Sequence, residues 1–129
     1  MSYNSSLKMY VVNNTGGNAI FSFSHRYSDD APVIWQSSTP VAPGGFAGPL
    51  EVGFNTGFGR TGMDYWYCRA EVVDGPSQGV YQTEGTLQAP TKECECQSGD
   101  DGMTYYFPFT TSTFMMPLIS GSCTTSVSS

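Results

Sequence analysis

Apolar and polar residues alternate with a period of two along most of the chain. Phe21, Phe23, His25 and Tyr27 fall on one face of the segment that opens at Ala19, and Ser22, Ser24 and Arg26 fall on the other. That is the pattern of a half-buried strand. From Asp64 to Val73 the pattern recurs, with Trp66, Cys68, Ala70 and Val72 set against Tyr65, Tyr67, Arg69 and Glu71. Leu50, Val52 and Phe54 alternate with Glu51 and Gly53. Further strands are predicted over Leu7–Val12, Val33–Ser37, Val80–Leu87, Thr91–Gln97, Met103–Thr110 and Thr113–Ile119. Turn-forming residues separate them: Asn13-Asn14-Thr15-Gly16-Gly17, Ser28-Asp29-Asp30-Ala31-Pro32, Ala42-Pro43-Gly44-Gly45, Asn55-Thr56-Gly57, Asp74-Gly75-Pro76 and Ser98-Gly99-Asp100-Asp101-Gly102. No window carries a helical stripe. About eight or nine short strands with frequent turns predict an all-β chain, a single antiparallel β-sandwich. One domain is expected over residues 1–129, with 124–129 either a polar tail or a last edge strand.

Composition narrows the function. The chain has 129 residues, of which 12% are charged and 14% aromatic, and its formal charge is −6. A nucleic-acid binder needs a basic footprint, so that class is disfavoured. No stretch approaches the roughly 20 apolar residues of a membrane-spanning helix. The segment from Met1 to Ser6 has neither the charged nor the apolar region of a signal peptide. Cytosolic synthesis and secretion followed by processing both remain open. Asn4-Ser5-Ser6 and Asn13-Asn14-Thr15 match the glycosylation sequon.

Four cysteines suit two disulfides. Cys94 and Cys96 share a strand face and would each seek a different partner, with Cys68 and Cys123 available. The alternative is four buried thiols acting as small apolar residues. Zinc is disfavoured, since Cys-x-Cys lacks the usual ligand gap and no His lies nearby.

Catalytic chemistry finds little footing. The only His, His25, lies on the face of Phe21 and Phe23, as expected of a core-edge imidazole with a satisfied N–H. The segment Gly57-Phe58-Gly59-Arg60-Thr61-Gly62 resembles a phosphate loop only in its glycines. Asp29, Asp30, Asp64, Asp100 and Asp101 could form a hydrolase pair, but most lie in turns, where Asp bonds nearby backbone. No enzyme is therefore expected. If the turns holding Asp29-Asp30 and Asp100-Asp101 meet at one end of the sandwich, their carboxylates could bridge calcium. No other cofactor is indicated.

The aromatic residues are more suggestive. Two Trp, eight Tyr and eight Phe exceed what one small core needs. Tyr65, Tyr67 and Tyr106 fall opposite the core-facing Trp66, Cys68, Tyr105 and Phe107, which predicts a sheet showing tyrosine to solvent. Such rings can pack on a lipid interface or a sugar while the hydroxyl stays wet. Phe114-Met115-Met116-Pro117-Leu118-Ile119 is the most apolar run, expected as a buried strand or an oligomer contact.

Three features carry a family resemblance. They are the opening strand into its turn, Met9-Tyr10-Val11-Val12-Asn13-Asn14-Thr15-Gly16-Gly17, the turn Val41-Ala42-Pro43-Gly44-Gly45 before the strand at Leu50, and the aromatic strand Tyr65-Trp66-Tyr67. In these the chain resembles the aegerolysin and actinoporin-like class of small acidic β-sandwich proteins that bind membranes. They cover about a quarter of the chain and transfer no functional residue. The low basic content departs from actinoporin-like proteins.

The expected function is non-enzymatic recognition of a lipid or membrane surface, with neutral or glycosylated lipids favoured by the acidic charge. A lectin is the first alternative, with Trp35, Tyr65 and Tyr67 stacking on sugar beside Asp29, Asp30 and Asn55. A self-assembling structural protein, a homo-oligomer, is the second.

Overall fold

A computed structural model describes residues 2–59 and 62–129. Among these residues ten strands form: β1 (Ser5–Asn13), β2 (Ala19–Tyr27), β3 (Val33–Gln36), β4 (Phe46–Phe54), β5 (Asp64–Val72), β6 (Gly79–Gln82), β7 (Lys92–Glu93), β8 (Thr104–Phe109), β9 (Thr113–Met116) and β10 (Cys123–Ser126). The only helical element among them is the 3-10 turn Ser98–Asp100. The first sheet runs β10-β9-β8-β1-β4, and the second runs β3-β2-β5-β6 with β7 also paired to β5. Isolated bridges join Ala19 to Val41 and Gln82 to Ser128.

The alternation read from the sequence governs burial. Phe21, Phe23, Trp66, Phe107, Phe109 and Phe114 are among the largest fully buried side chains. Their rings interlock, with Phe21 edge-on to Phe109 at 5.6 Å and Trp66 to Phe107 at 5.3 Å. Such pairs add about 0.5–1.5 kcal/mol beyond area burial.

Two expectations need correction, and one alternative is decided. The sandwich is not wholly antiparallel, because β1 pairs in parallel with β8, Met9 opposite Tyr105 and Val11 opposite Phe107. A parallel neighbour comes from a distant part of the chain, so no local turn announces it. Of the two alternatives for 124–129, the edge strand is the one found: β10 pairs with β9 at the edge of the first sheet, Thr124 opposite Met115. The strand expected over Val80–Leu87 ends at Gln82. Thr83 then turns its hydroxyl to the Cys68 N–H at 3.1 Å and its own N–H to the Cys68 carbonyl at 3.0 Å. The chain rejoins β5 only at Lys92 and Glu93, opposite Trp66 and Tyr65.

The run at 114–119 also differs from a buried strand. Phe114, Met116 and Leu118 are buried, while Met115 and Ile119 are exposed. The strand ends at Met116, so Met115 faces outward by the period of two, while Ile119 lies in the turn beyond the strand. Asn13, in the second sequon, is fully buried. Its amide donates to the carbonyls of Gly17 and Val41 and accepts from Thr15, so it is closed to glycosylation in the folded chain.

Candidate functional site

Register brings one set of strand ends together. Tyr27 at the end of β2 lies opposite Asp64 at the start of β5, and Ser5 at the start of β1 lies opposite Phe54 at the end of β4. The Ser6 N–H donates to Asp101 at 2.9 Å, which draws the 3-10 turn to the same end.

Beneath this end lies a sealed polar cluster. His25 Nε2 donates to Asp64 Oδ1 at 2.6 Å, with both side chains almost wholly buried. Asp64 Oδ2 accepts the Cys96 N–H at 2.8 Å, and the Trp66 indole N–H donates to the Cys94 carbonyl at 2.9 Å. The satisfied His25 N–H is as expected. Here the pair fastens residues 94–96 to the second sheet. Burial, then the Asp64 and Asp100 carboxylates, push the Cys96 thiol well up, and burial does the same to Cys68. Neither sulfur is a ready nucleophile, because reaction needs the thiolate. Cys94 and Cys123 form a disulfide, while Cys68 and Cys96 are free. The outcome falls between the two alternatives, with one bridge and two buried thiols.

Above the cluster the surface is open. A cleft of about 320 Å³ is lined by Asn55, Thr56, Gly57, Gly62, Glu95, Cys96, Gln97 and Ser98. Its walls are fastened. Asn4 Nδ2 donates to the Thr56 carbonyl at 2.8 Å, Asn4 Oδ1 accepts the Thr56 N–H at 3.0 Å, and Asn55 Oδ1 accepts the Asn4 N–H at 3.0 Å. At the far end of the loop a Cβ on Gly62 would lie 1.9 Å from the Tyr27 hydroxyl, so only glycine fits. Positions 60 and 61 of the glycine-rich segment lie outside the described residues.

Two apolar side chains stand beside this cleft. Phe58 is 108% exposed and Ile119 is 69% exposed, the highest values among the large apolar residues described. Phe58 follows Gly57 of the cleft wall, and Ile119 Cγ2 lies 3.6 Å from where a Cβ on Gly99 would stand. Asp100, also at this end, is fully buried. It accepts the Gln97 N–H at 2.9 Å, the Tyr105 hydroxyl at 2.5 Å and the Ser120 hydroxyl. The Tyr105 oxygen in turn accepts the Ile119 N–H at 2.9 Å, which fixes the loop bearing Ile119.

The sequence-predicted site residues scatter. Asn55 lines the cleft. Asp29 is fully exposed, 4.0 Å from Arg26, and Asp30 accepts the Tyr3 hydroxyl at 2.7 Å. Among the described residues no three His, Cys, Asp or Glu side chains gather to hold a metal, so calcium at Asp29, Asp30, Asp100 and Asp101 gains no support. Trp35 is half-buried and stacked on Phe23 at 5.0 Å. The open tyrosine face is corrected. Tyr67 is buried, with its hydroxyl donating to Gln82 at 2.6 Å, and Tyr65 is half-buried under the Arg26 guanidinium at 4.2 Å. Tyr106 is exposed, but on the other sheet. There it stacks on Tyr10 at 5.1 Å and meets Phe46 edge-on at 5.3 Å.

Sequence reasoning missed Phe58, Ile119, Tyr10 and Phe46. Phe58 carried a usable signal, an aromatic residue between two turn glycines with no strand to bury it. Tyr10 and Phe46 carried none, because the parallel neighbour that completes their cluster is nonlocal. No protein-family model matches the chain, and no curated protein matches it either.

Proposed function

We propose that the protein recognises a lipid or membrane surface with the end of the sandwich that carries Phe58 and Ile119. The observation behind this reading is that these two side chains, the most exposed large apolar ones described, stand at one end, Phe58 two residues beyond Thr56, which Asn4 holds, and Ile119 with its N–H held by Tyr105. Scattered surface apolar residues need no explanation, but two exposed tips at one end present their apolar area to an interface together. Burying both side chains would contribute about 3 kcal/mol, roughly a hundredfold in partitioning. The net charge of −6 opposes anionic surfaces and favours neutral ones.

Sedimentation with phosphatidylcholine vesicles tests the reading. The wild-type chain is expected to pellet, and the Phe58→Ser/Ile119→Ser variant to stay largely in solution with an unchanged melting temperature. Equal pelleting of the two proteins removes the tips from the interaction.

A second reading, self-assembly, is favoured by the cluster of Tyr10, Phe46 and Tyr106 on the outer face of the first sheet, of which Phe46 and Tyr106 are exposed. Light scattering against concentration separates it: association abolished by Tyr106→Ser supports assembly, and a monomer at all concentrations ends it.

A further inference from the structure

We propose that the cleft between residues 55–57 and 95–98 binds a neutral polyhydroxylated group, the sugar head of a glycolipid or the same sugar free in solution. This rests on the lipid-surface reading for its geometry and names the chemistry that the surface would offer. The lining side chains are mostly uncharged and hydrogen-bonding: the amides of Asn55 and Gln97 and the hydroxyls of Thr56 and Ser98, joined by the Glu95 carboxylate. A sugar hydroxyl both donates and accepts, so it needs this mixture of amide, hydroxyl and carboxylate partners. The Glu95 carboxylate in the lining, together with the net charge of −6, disfavours a phosphate or carboxylate ligand.

The site is ordered before any ligand arrives. Asn4 holds the Asn55 amide oxygen. Gln97 Nε2 reaches Glu95 Oε1 at 3.3 Å, and the Gln97 N–H is held by Asp100. Fixed polar groups bind with less lost side-chain freedom. A Cβ on Gly57 would meet nothing within 4 Å, so a ring can approach the loop backbone directly. A volume of about 320 Å³ is at the small end of ligand sites and suits a head of few rings.

Vesicles of phosphatidylcholine alone, phosphatidylcholine with neutral glycosphingolipids, and phosphatidylcholine with phosphatidylserine test the proposal, together with soluble lactose and cellobiose as free-sugar arms. Glycosphingolipid is expected to raise binding at least roughly tenfold over phosphatidylcholine alone, and phosphatidylserine to give no gain. Glu95→Ala/Gln97→Ala should erase the glycolipid gain while leaving binding to phosphatidylcholine intact. Both side chains are exposed, so an unchanged melting temperature is the folding control. Phe58→Ser/Ile119→Ser should lower binding to every vesicle. Equal binding with and without glycosphingolipid overturns the cleft proposal and spares the lipid reading. Binding to soluble sugar without binding to any vesicle overturns the lipid reading and keeps the cleft. Silence in every arm overturns both.

Discussion

Two turns of this chain carry the same Asp-Asp dipeptide and meet opposite fates. In the turn after β2, Asp29 is fully exposed and Asp30 partly so. In the 3-10 turn, Asp100 is wholly buried and Asp101 is exposed. Each turn takes a tyrosine hydroxyl, Tyr3 on Asp30 and Tyr105 on Asp100. Asp100 also gathers the Gln97 N–H and the Ser120 hydroxyl, so it links β8, the cleft wall and the loop of Ile119. A carboxylate becomes structural when several donors converge on it away from water, because each charge-assisted bond is then stronger and costlier to lose. The identity of the residue does not make that choice.

The largest test of this contrast is the Cys94–Cys123 disulfide, which spans 29 residues and encloses the Asp100 turn. Chain-entropy reasoning assigns such a loop about 3–4 kcal/mol. Cys94→Ser/Cys123→Ser should lower urea stability by that amount. A loss concentrated in residues 94–123 by hydrogen exchange would show the bridge to be local to this end.

Asp100→Asn comes next. It keeps the shape but turns one acceptor into a donor facing donors, and should cost about 3 kcal/mol. Asp29→Ala, by contrast, should change stability by less than about 0.5 kcal/mol. Equal effects in denaturant titration would dissolve the distinction between the two turns.

The tyrosines supply a pH test. Both phenols are pushed up to about 12 from an ordinary 10.0, by burial first and then by the hydrogen-bonded carboxylate. A folded-state value above the unfolded one favours the folded state fully below pH 10 and loses that contribution as pH rises through 12. Tyr3→Phe/Tyr105→Phe should flatten the alkaline fall in stability. Singly, Tyr105→Phe should cost about 1–2 kcal/mol at neutral pH and Tyr3→Phe less, because Asp30 retains water as a partner.

The smallest expected effect lies outside both turns. Ser24 is buried, and its hydroxyl has no partner among the described residues. Ser24→Ala should be neutral or stabilise by up to about 1 kcal/mol in thermal melts, since it removes an unmet polar group.

Much of the fold was legible because a strand reports its inner face locally. Phe21, Phe23, Trp66 and Cys68 point inward as alternation requires, and Ala19–Tyr27 matches its expected bounds. Alternation says which side of a sheet a residue occupies and not what covers that side. Tyr67 and Tyr106 both face outward, yet Tyr67 is buried and Tyr106 is open. The candidate site was less legible still. Only Asn55 of the expected ligand-binding residues lies in the cleft, whose other walls come from segments some 40 residues away in the chain.

The period of two, the turn residues and the surplus of aromatic side chains belong to the sequence itself, since each acts on its own few neighbours. They make the chain all-β and place its core. Which acid is sealed, which cysteines bond, which tyrosine stays open and which loops share an end were decided by tertiary structure. Each of those outcomes depends on groups brought together across the sheets, above all by the parallel pairing of β1 with β8 and by the Asp64 and Asp100 contacts that gather distant strands at one end.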